Sequence, residues 1–197
     1  MKKFVAALAV VPLVFSLAAC GSSSNGNGDS KKITIGVVGN ETANQVLKDE
    51  AAKQGITIEY SEFTDYAQPN PAVDAGDNNM NRFQHIAYLA NYNVSSGKDL
   101  QIVGSTNIYP MAIFSKKHKK VDEIPQGGTI AIPNDSVNEA RALLLLKAQN
   151  LVTFKSEVHT PTHNDIDTGK SKVKVTPVDA AQTVVSLDSV DAAVINN

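Results

Sequence analysis

An α/β fold is predicted by two stretches in which strand and helix alternate. ITIGVV (33–38) is a short β-rich run, followed by a helical stretch from Glu41 to Gln54 and then by ITIEYSEF (56–63). Strand, helix, strand in that order predicts parallel pairing in an α/β sheet. Further on, TIAI (129–132) runs into PNDSVNEARALLLLKAQN, the clearest helix in the chain.

The elements follow in chain order. Residues 1–20 read as a leader outside the fold: Lys2 and Lys3, an apolar run from Phe4 to Ala19, then L-A-A-C at 17–20. Small residues before the chain's single cysteine form a bacterial lipobox, with cleavage before Cys20 and a lipid anchor on its thiol. With one cysteine no intrachain disulfide is possible. GSSSNGNGDSKK (21–32) reads as a flexible tether, being Gly-, Ser- and Asn-rich without an apolar period. In the first helix, positions 43, 46, 47, 50 and 51 share one side, and Gly55 ends it. Asn70 and Pro71 mark a helix start, since proline is tolerated in a first turn. A helix over His85–Asn93 and a strand at DLQIVGST (99–106) come next.

Ile108 to Ser115 reads as a crossing segment, KKHKK (116–120) as a solvated basic loop, and VDEIPQGG as turns. Ser136 and Glu139 have capping-box spacing at the start of the long helix. Its four leucines, 143–146, need cover on more than one side. Asn138 and Arg141, three apart, share one face near the helix start, where free N–H groups and a guanidinium suit a carboxylate. Spacing alone favours a surface arginine paired with a nearby acid. KVKVTPV (172–178) alternates like a strand, and VDAAVIN (190–196) reads as the last one.

Composition narrows the function classes. The formal net charge is −2, and removing the leader with its two lysines makes it −4, against any nucleic-acid footprint. Residues Tyr60 to Tyr92 hold six of the eleven Phe and Tyr, interleaved with Asn, Asp and Gln. Rings with amide and imidazole groups between them suit a small-molecule pocket. The same rings read equally as core packing for a strand and turn.

Several motifs in this stretch carry a resemblance: FTDY (63–66), PN (69–70), GD (76–77) and NRFQH (81–85) with Tyr88 and Leu89. PMAIFSKK (110–117), IAIPNDSVNEARALLLL (130–146) and LDSVDAAVIN (187–196) continue it. Together they resemble the methionine-binding, NlpA-type solute-binding lipoproteins of ABC importers, over nearly all of the chain after residue 32. The resemblance implies a two-lobed, periplasmic-binding-protein-like α/β fold with a ligand cleft between the lobes. Residues 33–112 would form the first lobe, 113–190 the second, and 191–197 a return strand toward the first. It implies a membrane-anchored protein on the extracytoplasmic face, capturing a free amino acid, methionine first, for an ABC permease. Tyr66, Phe83 and Tyr88 would wall the side-chain pocket, His85 would hydrogen-bond the ligand, Arg141 with Asn138 would take the carboxylate, and Asn196 the polar end.

The chain departs from the family pattern at Asn79, Arg82, Ala87 and Ala140, where Asp, an apolar or aromatic residue, Pro and Gly are usual. Family members also continue for several dozen residues beyond VIN, so the first lobe is expected to be incomplete. Two other readings stay open. One is a truncated lipoprotein paralogue that binds nothing. The other is a surface-anchored hydrolase using Ser115, His85 and Asp65, behind which no G-x-S-x-G, P-loop or G-x-G-x-x-G pattern stands. Neither metal pattern persuades. Asp74, Asp77, Asn78, Asn79 and Asn81 lack calcium-loop spacing. His159 and His163, with Asp165 and Asp167, are separated by Pro161. No cofactor is expected.

Overall fold

The computed structural model describes residues 31–39 and 42–196, so the leader, Cys20 and most of the tether lie outside the described residues. Two separate sheets organise the chain. The first contains β1 (Lys31–Val38), β2 (Ile56–Phe63) and the two-residue β3 (Met80–Asn81), in order β2-β1-β3. Both pairings are parallel, with Ile35 opposite Tyr60 and Met80. The second contains β4 (Ala112–Phe114), β5 (Thr129–Pro133), β6 (Lys174–Val178) and β7 (Ala192–Ile195), in order β4-β7-β5-β6. There β5 runs parallel to β6 and β7, and β4 pairs antiparallel with β7. Helices α1 (Thr42–Ala52), α2 (Pro69–Asp74) and α3 (Ile86–Ser96) accompany the first sheet, α4 (Ser136–Ala148) and the one-turn α5 (Thr183–Ser186) the second. The fold is α/β and two-lobed, as periplasmic binding proteins are.

The two lobes differ in how much apolar surface they bury. In the second, Ile130, Ile132, Leu143, Leu146 and Val194 lie in one core that reaches Leu151, Phe154 and Val173. In the first, the fully buried apolar residues are Ile35, Val37 and Ile58, with Leu47, Ala51 and Tyr60 packed against them. Gly36 sits among them because there is no room for more: a Cβ there would stand 3.0 Å from the Phe63 ring and 3.1 Å from the Asn78 amide.

Several expectations are corrected. Lys31 and Lys32, assigned to the tether, open β1 opposite Ile56 and Thr57, because β2 extends far enough to pair them. The stripe of α1 is only partly used: Leu47 and Ala51 meet the core while Val46 is 56% exposed. Residues 99–106 form no strand. A strand needs a ladder neighbour, and no described residue pairs with this segment. It is tied at its ends instead. The Asn93 side chain holds the N–H and C=O of Leu100 at 3.1 and 3.0 Å, and Arg82 donates to Asn107 Oδ1 at 2.6 Å. Ile102, Val103 and Ile108 between or beside those ties are exposed. The last strand is not a return to the first lobe. Its backbone is held on both sides within the second sheet, between β4 and β5.

The capping box also fails. Asp135, one residue earlier, is the N-cap of α4 and accepts from Asn138 N–H at 2.9 Å. Glu139 instead turns into the second lobe and accepts from the backbone N–H of His163 and meets its Nδ1, both at 2.7 Å. A buried carboxylate requires such partners, and the loop carrying His163 supplies them. KKHKK is not uniformly solvated. His118 is drawn in by Asp191, with Nε2 3.1 Å from Oδ1. Among the described residues no helix is long and apolar enough to cross a membrane.

Asp191 fastens three strands at the end of the second sheet away from Asn196. Its carboxylate accepts from Thr129 N–H at 2.8 Å and meets His118, while its carbonyl accepts from Ser115 Oγ at 2.5 Å. The Thr129 N–H, then the His118 ring, hold its carboxyl below the ordinary carboxylate value. The folded value being the lower one, this contribution to stability is full above the unfolded value of about 3.9 and is lost as pH falls through the folded value. Asp191→Asn is therefore expected to flatten the acid limb of a melting-temperature profile, measured against the parent.

Leu143 is fully buried on α4. Leu143→Ala should cost about 2–5 kcal/mol by denaturant unfolding, whereas Val103→Lys in the exposed segment should change stability by less than about 0.5 kcal/mol.

Candidate functional site

The site forms where strand ends of both sheets meet. Tyr66 follows β2, Phe83 and His85 follow β3, Asn138 and Arg141 lie on α4 after β5, and Asn196 follows β7. Carboxyl ends of strands in open α/β sheets are where ligands bind, because helix starts and loops gather there. All seven ligand-binding residues expected from the sequence are thus brought to one place.

Tyr66, Phe83 and Tyr88 make a three-ring cluster. Ring centroids stand 5.7 Å apart for Tyr66–Phe83, 6.2 Å for Tyr66–Tyr88 and 5.6 Å for Phe83–Tyr88, each pair edge-to-face. Such geometry suits the ring quadrupoles. The Tyr88 hydroxyl donates to the Tyr66 carbonyl at 3.0 Å. Burial, followed by the nearby carboxylates of Asp135, Asp179 and Asp65, pushes the Tyr88 hydroxyl up to about 12. It is a neutral donor at any physiological pH.

The polar side of the site converges on one atom. Asn138, 1% exposed, presents Oδ1 to Arg141 Nη1 at 2.7 Å and to His85 Nε2 at 3.0 Å. Its Nδ2 donates to Asp135 Oδ2 at 3.0 Å, which sets the amide orientation. His85 is the N-cap of α3, and its Nδ1 accepts from Tyr88 N–H at 3.2 Å. With Nδ1 used as an acceptor, the proton sits on Nε2, and the ring donates to Asn138. Asn196 Nδ2 donates to the Tyr66 hydroxyl at 3.3 Å. The hydrogen bonds His85–Asn138 and Asn196–Tyr66, both among the described residues, therefore cross between the lobes.

Chemically, this is a receptor with an apolar wall of rings and two convergent N–H donors, one of them cationic. It suits a small molecule with a carboxylate at one end and an apolar group at the other. A hydrolytic set is not assembled. Ser115 is engaged with Asp191 and the N–H groups of Lys117 and His118, and Asp65 with Ala67 and Gln68, while His85 faces Asn138. His163 is engaged with Glu139, and among the described residues no group of His, Cys, Asp or Glu is placed to hold a metal ion.

Residues beyond the expected seven contribute. Asp135 orients Asn138, and its place before a helix marks it as a cap. Asn70, Asn81 and Gln84 interlock through their side-chain amides. Gln84 lies inside the NRFQH motif, but nothing in its local sequence distinguishes a ligand contact from a brace.

The chain is similar in sequence and fold to known proteins. A family model described as NlpA lipoprotein matches residues 33–197. Outer membrane lipoprotein 1 of Mannheimia haemolytica is 42% identical over 174 residues, covering 84% of this chain and 62% of that one. The D-methionine-binding lipoprotein MetQ of Escherichia coli K12 is 37% identical over 198 residues, covering 97% and 72%. Among solved structures, the substrate-binding protein of a methionine transporter from Streptococcus pneumoniae superposes with a TM-score of 0.76 at 40% identity, covering 84% and 68%. A nutrient-binding protein from Burkholderia cenocepacia bound to methionine gives 0.76 at 39%, covering 84% and 71%. The chain thus spans about three fifths to three quarters of the length of these relatives. With the model match, the identities and the shared fold in agreement, this chain belongs to the NlpA lipoprotein family.

Proposed function

We propose that this chain is the membrane-anchored solute-binding lipoprotein of an ABC importer, capturing a free amino acid, methionine first, for delivery to the permease. The observation that carries the reading is the convergence of Arg141 and the His85 Nε2–H on Asn138 Oδ1 beside the three rings. An entering carboxylate takes the place of the amide oxygen as the shared acceptor and adds a full charge for the guanidinium. A thioether side chain then lies against Tyr66, Phe83 and Tyr88, a contact that sulfur and aromatic rings both favour. Asn196 and the Tyr66 hydroxyl supply polar groups for the remaining end. The names of the E. coli and Burkholderia relatives, which mention D-methionine and bound methionine, support methionine as the first ligand to try.

Titration calorimetry with L- and D-methionine tests the reading. Arg141→Ala is expected to lose about 2–5 kcal/mol of binding free energy, the loss typical of removing one partner of a buried charge pair. Affinity within a few-fold of the parent would return Arg141 to a surface role. A parent chain that binds neither enantiomer would favour the non-binding lipoprotein instead.

The anchor is tested separately, on Cys20. Cys20→Ala should release the protein from the membrane fraction into the medium or periplasm. Retention in the membrane after leader cleavage would refute lipid attachment there.

A further inference from the structure

Between Asn81 and Ile86 the chain leaves β3, bends at Phe83 and is extended at His85, and its side chains divide by parity. Phe83 and His85 face the site, while Arg82 and Gln84 face the scaffold. Alternation is the normal consequence of extended backbone, but here no sheet partner continues past Arg82 N–H, which donates to the Gly36 carbonyl at 2.8 Å. Something else must hold the segment that presents two site residues.

Three side-chain amides do this. Gln84 and Asn70 pair reciprocally, with Gln84 Nε2 to Asn70 Oδ1 at 2.6 Å and Asn70 Nδ2 to Gln84 Oε1 at 3.0 Å. The second N–H of Gln84 goes to Asn81 Oδ1 at 2.9 Å. Asn81 Nδ2 closes the ring on Asn70 Oδ1 at 2.8 Å and also reaches the Pro69 carbonyl at 3.3 Å. Asn70 is 1% exposed. Five of the six amide hydrogens are given to named acceptors, which ties the orientation of each amide to the other two. Asn70 lies in the first turn of α2, four residues after Tyr66, and Asn81 is the last residue of β3. The ring therefore ties the support of Tyr66 to the segment bearing Phe83 and His85.

We infer that Gln84 is a positioning residue for the ligand cleft. Through the Asn70–Asn81–Gln84 amide ring it holds Phe83 against Tyr66 and aims the His85 Nε2–H at the carboxylate position, without touching ligand itself. This rests on the reading of the cleft as an amino-acid site. A side chain that merely filled space would be replaced without loss by one of equal shape. Gln84→Met keeps the shape and removes all three hydrogen bonds. Gln84→Glu keeps the shape and the acceptor for Asn70, and replaces both donors by a second, charged acceptor oxygen facing the Asn70 and Asn81 oxygens.

The test uses the full chain in detergent, with two readouts. The first is the ring ¹⁵N chemical shifts of His85, recorded without ligand by NMR. The parent should show Nδ1 as the accepting and Nε2 as the donating nitrogen, and both variants should show this difference between the two nitrogens averaged. The second is calorimetric affinity for L-methionine, expected to fall at least about tenfold in each variant, with melting temperatures in the range where the apo protein is still folded. Parent-like His85 shifts in Gln84→Met, or affinity within twofold of the parent in both variants, would overturn the role. If the parent itself binds no methionine, the functional reading fails, and the His85 tautomer readout still decides the positioning role by itself.

Discussion

The site depends on a single shared acceptor. Asn138 Oδ1 takes hydrogen bonds from a guanidinium on its own helix and from an imidazole of the other lobe. An amide oxygen has two lone pairs, so the atom is saturated, and neither donor is left wanting. The Asp135 carboxylate fixes which end of the amide faces the donors. Capping a helix and orienting a binding group are here one interaction. Loss of the cap would both fray α4 and free the amide to rotate.

The ring cluster is the apolar counterpart of that hub, and it is also built from contacts that serve twice. The Tyr88 N–H satisfies His85 Nδ1, and its hydroxyl satisfies the Tyr66 carbonyl. Burial in the company of three carboxylates keeps that hydroxyl protonated. Among the described residues no buried side-chain nitrogen or oxygen lacks a partner. A polar cleft of this kind can be dry only on that condition, since each buried unpaired group would cost on the order of 1–3 kcal/mol.

The lobes carry unequal cores. The second is sealed by α4, with Leu143 and Leu146 over Ile130, Ile132 and Val194. The first rests on three fully buried apolar side chains and on polar ties: the amide ring, the Asn79–Thr34 bonds and the Arg82 bridge between Asn44 and Asn107. Arg82, where the family usually carries an apolar or aromatic residue, works as such a tie. Hydrogen bonds fix geometry more sharply than they stabilise, so the first lobe is the better defined in arrangement than in reserve of stability.

What was legible in the sequence followed from local rules. The β–α–β opening, the α4 helix and the position of Tyr66 beyond a strand end come from periodicity and breakers, which act over a few residues. The seven expected ligand residues follow from motif resemblance, and no spacing rule assigns them. The failures share a cause. Strand 99–106 was read from composition, but strands exist only by pairing, and no described neighbour pairs with it. Ser136–Glu139 has capping-box spacing, but Asp135 was one residue closer to the right geometry, and Glu139 was claimed by His163 from 24 residues away. Gln84 looked like one polar residue in a motif until Asn70 and Asn81 were seen beside it. By itself the sequence determined which residues can be strand, helix or turn, because those choices are settled by backbone and neighbouring side chains. Only the tertiary structure decided which donor meets which acceptor, because partners distant in the chain compete for each buried polar group and packing selects one of them.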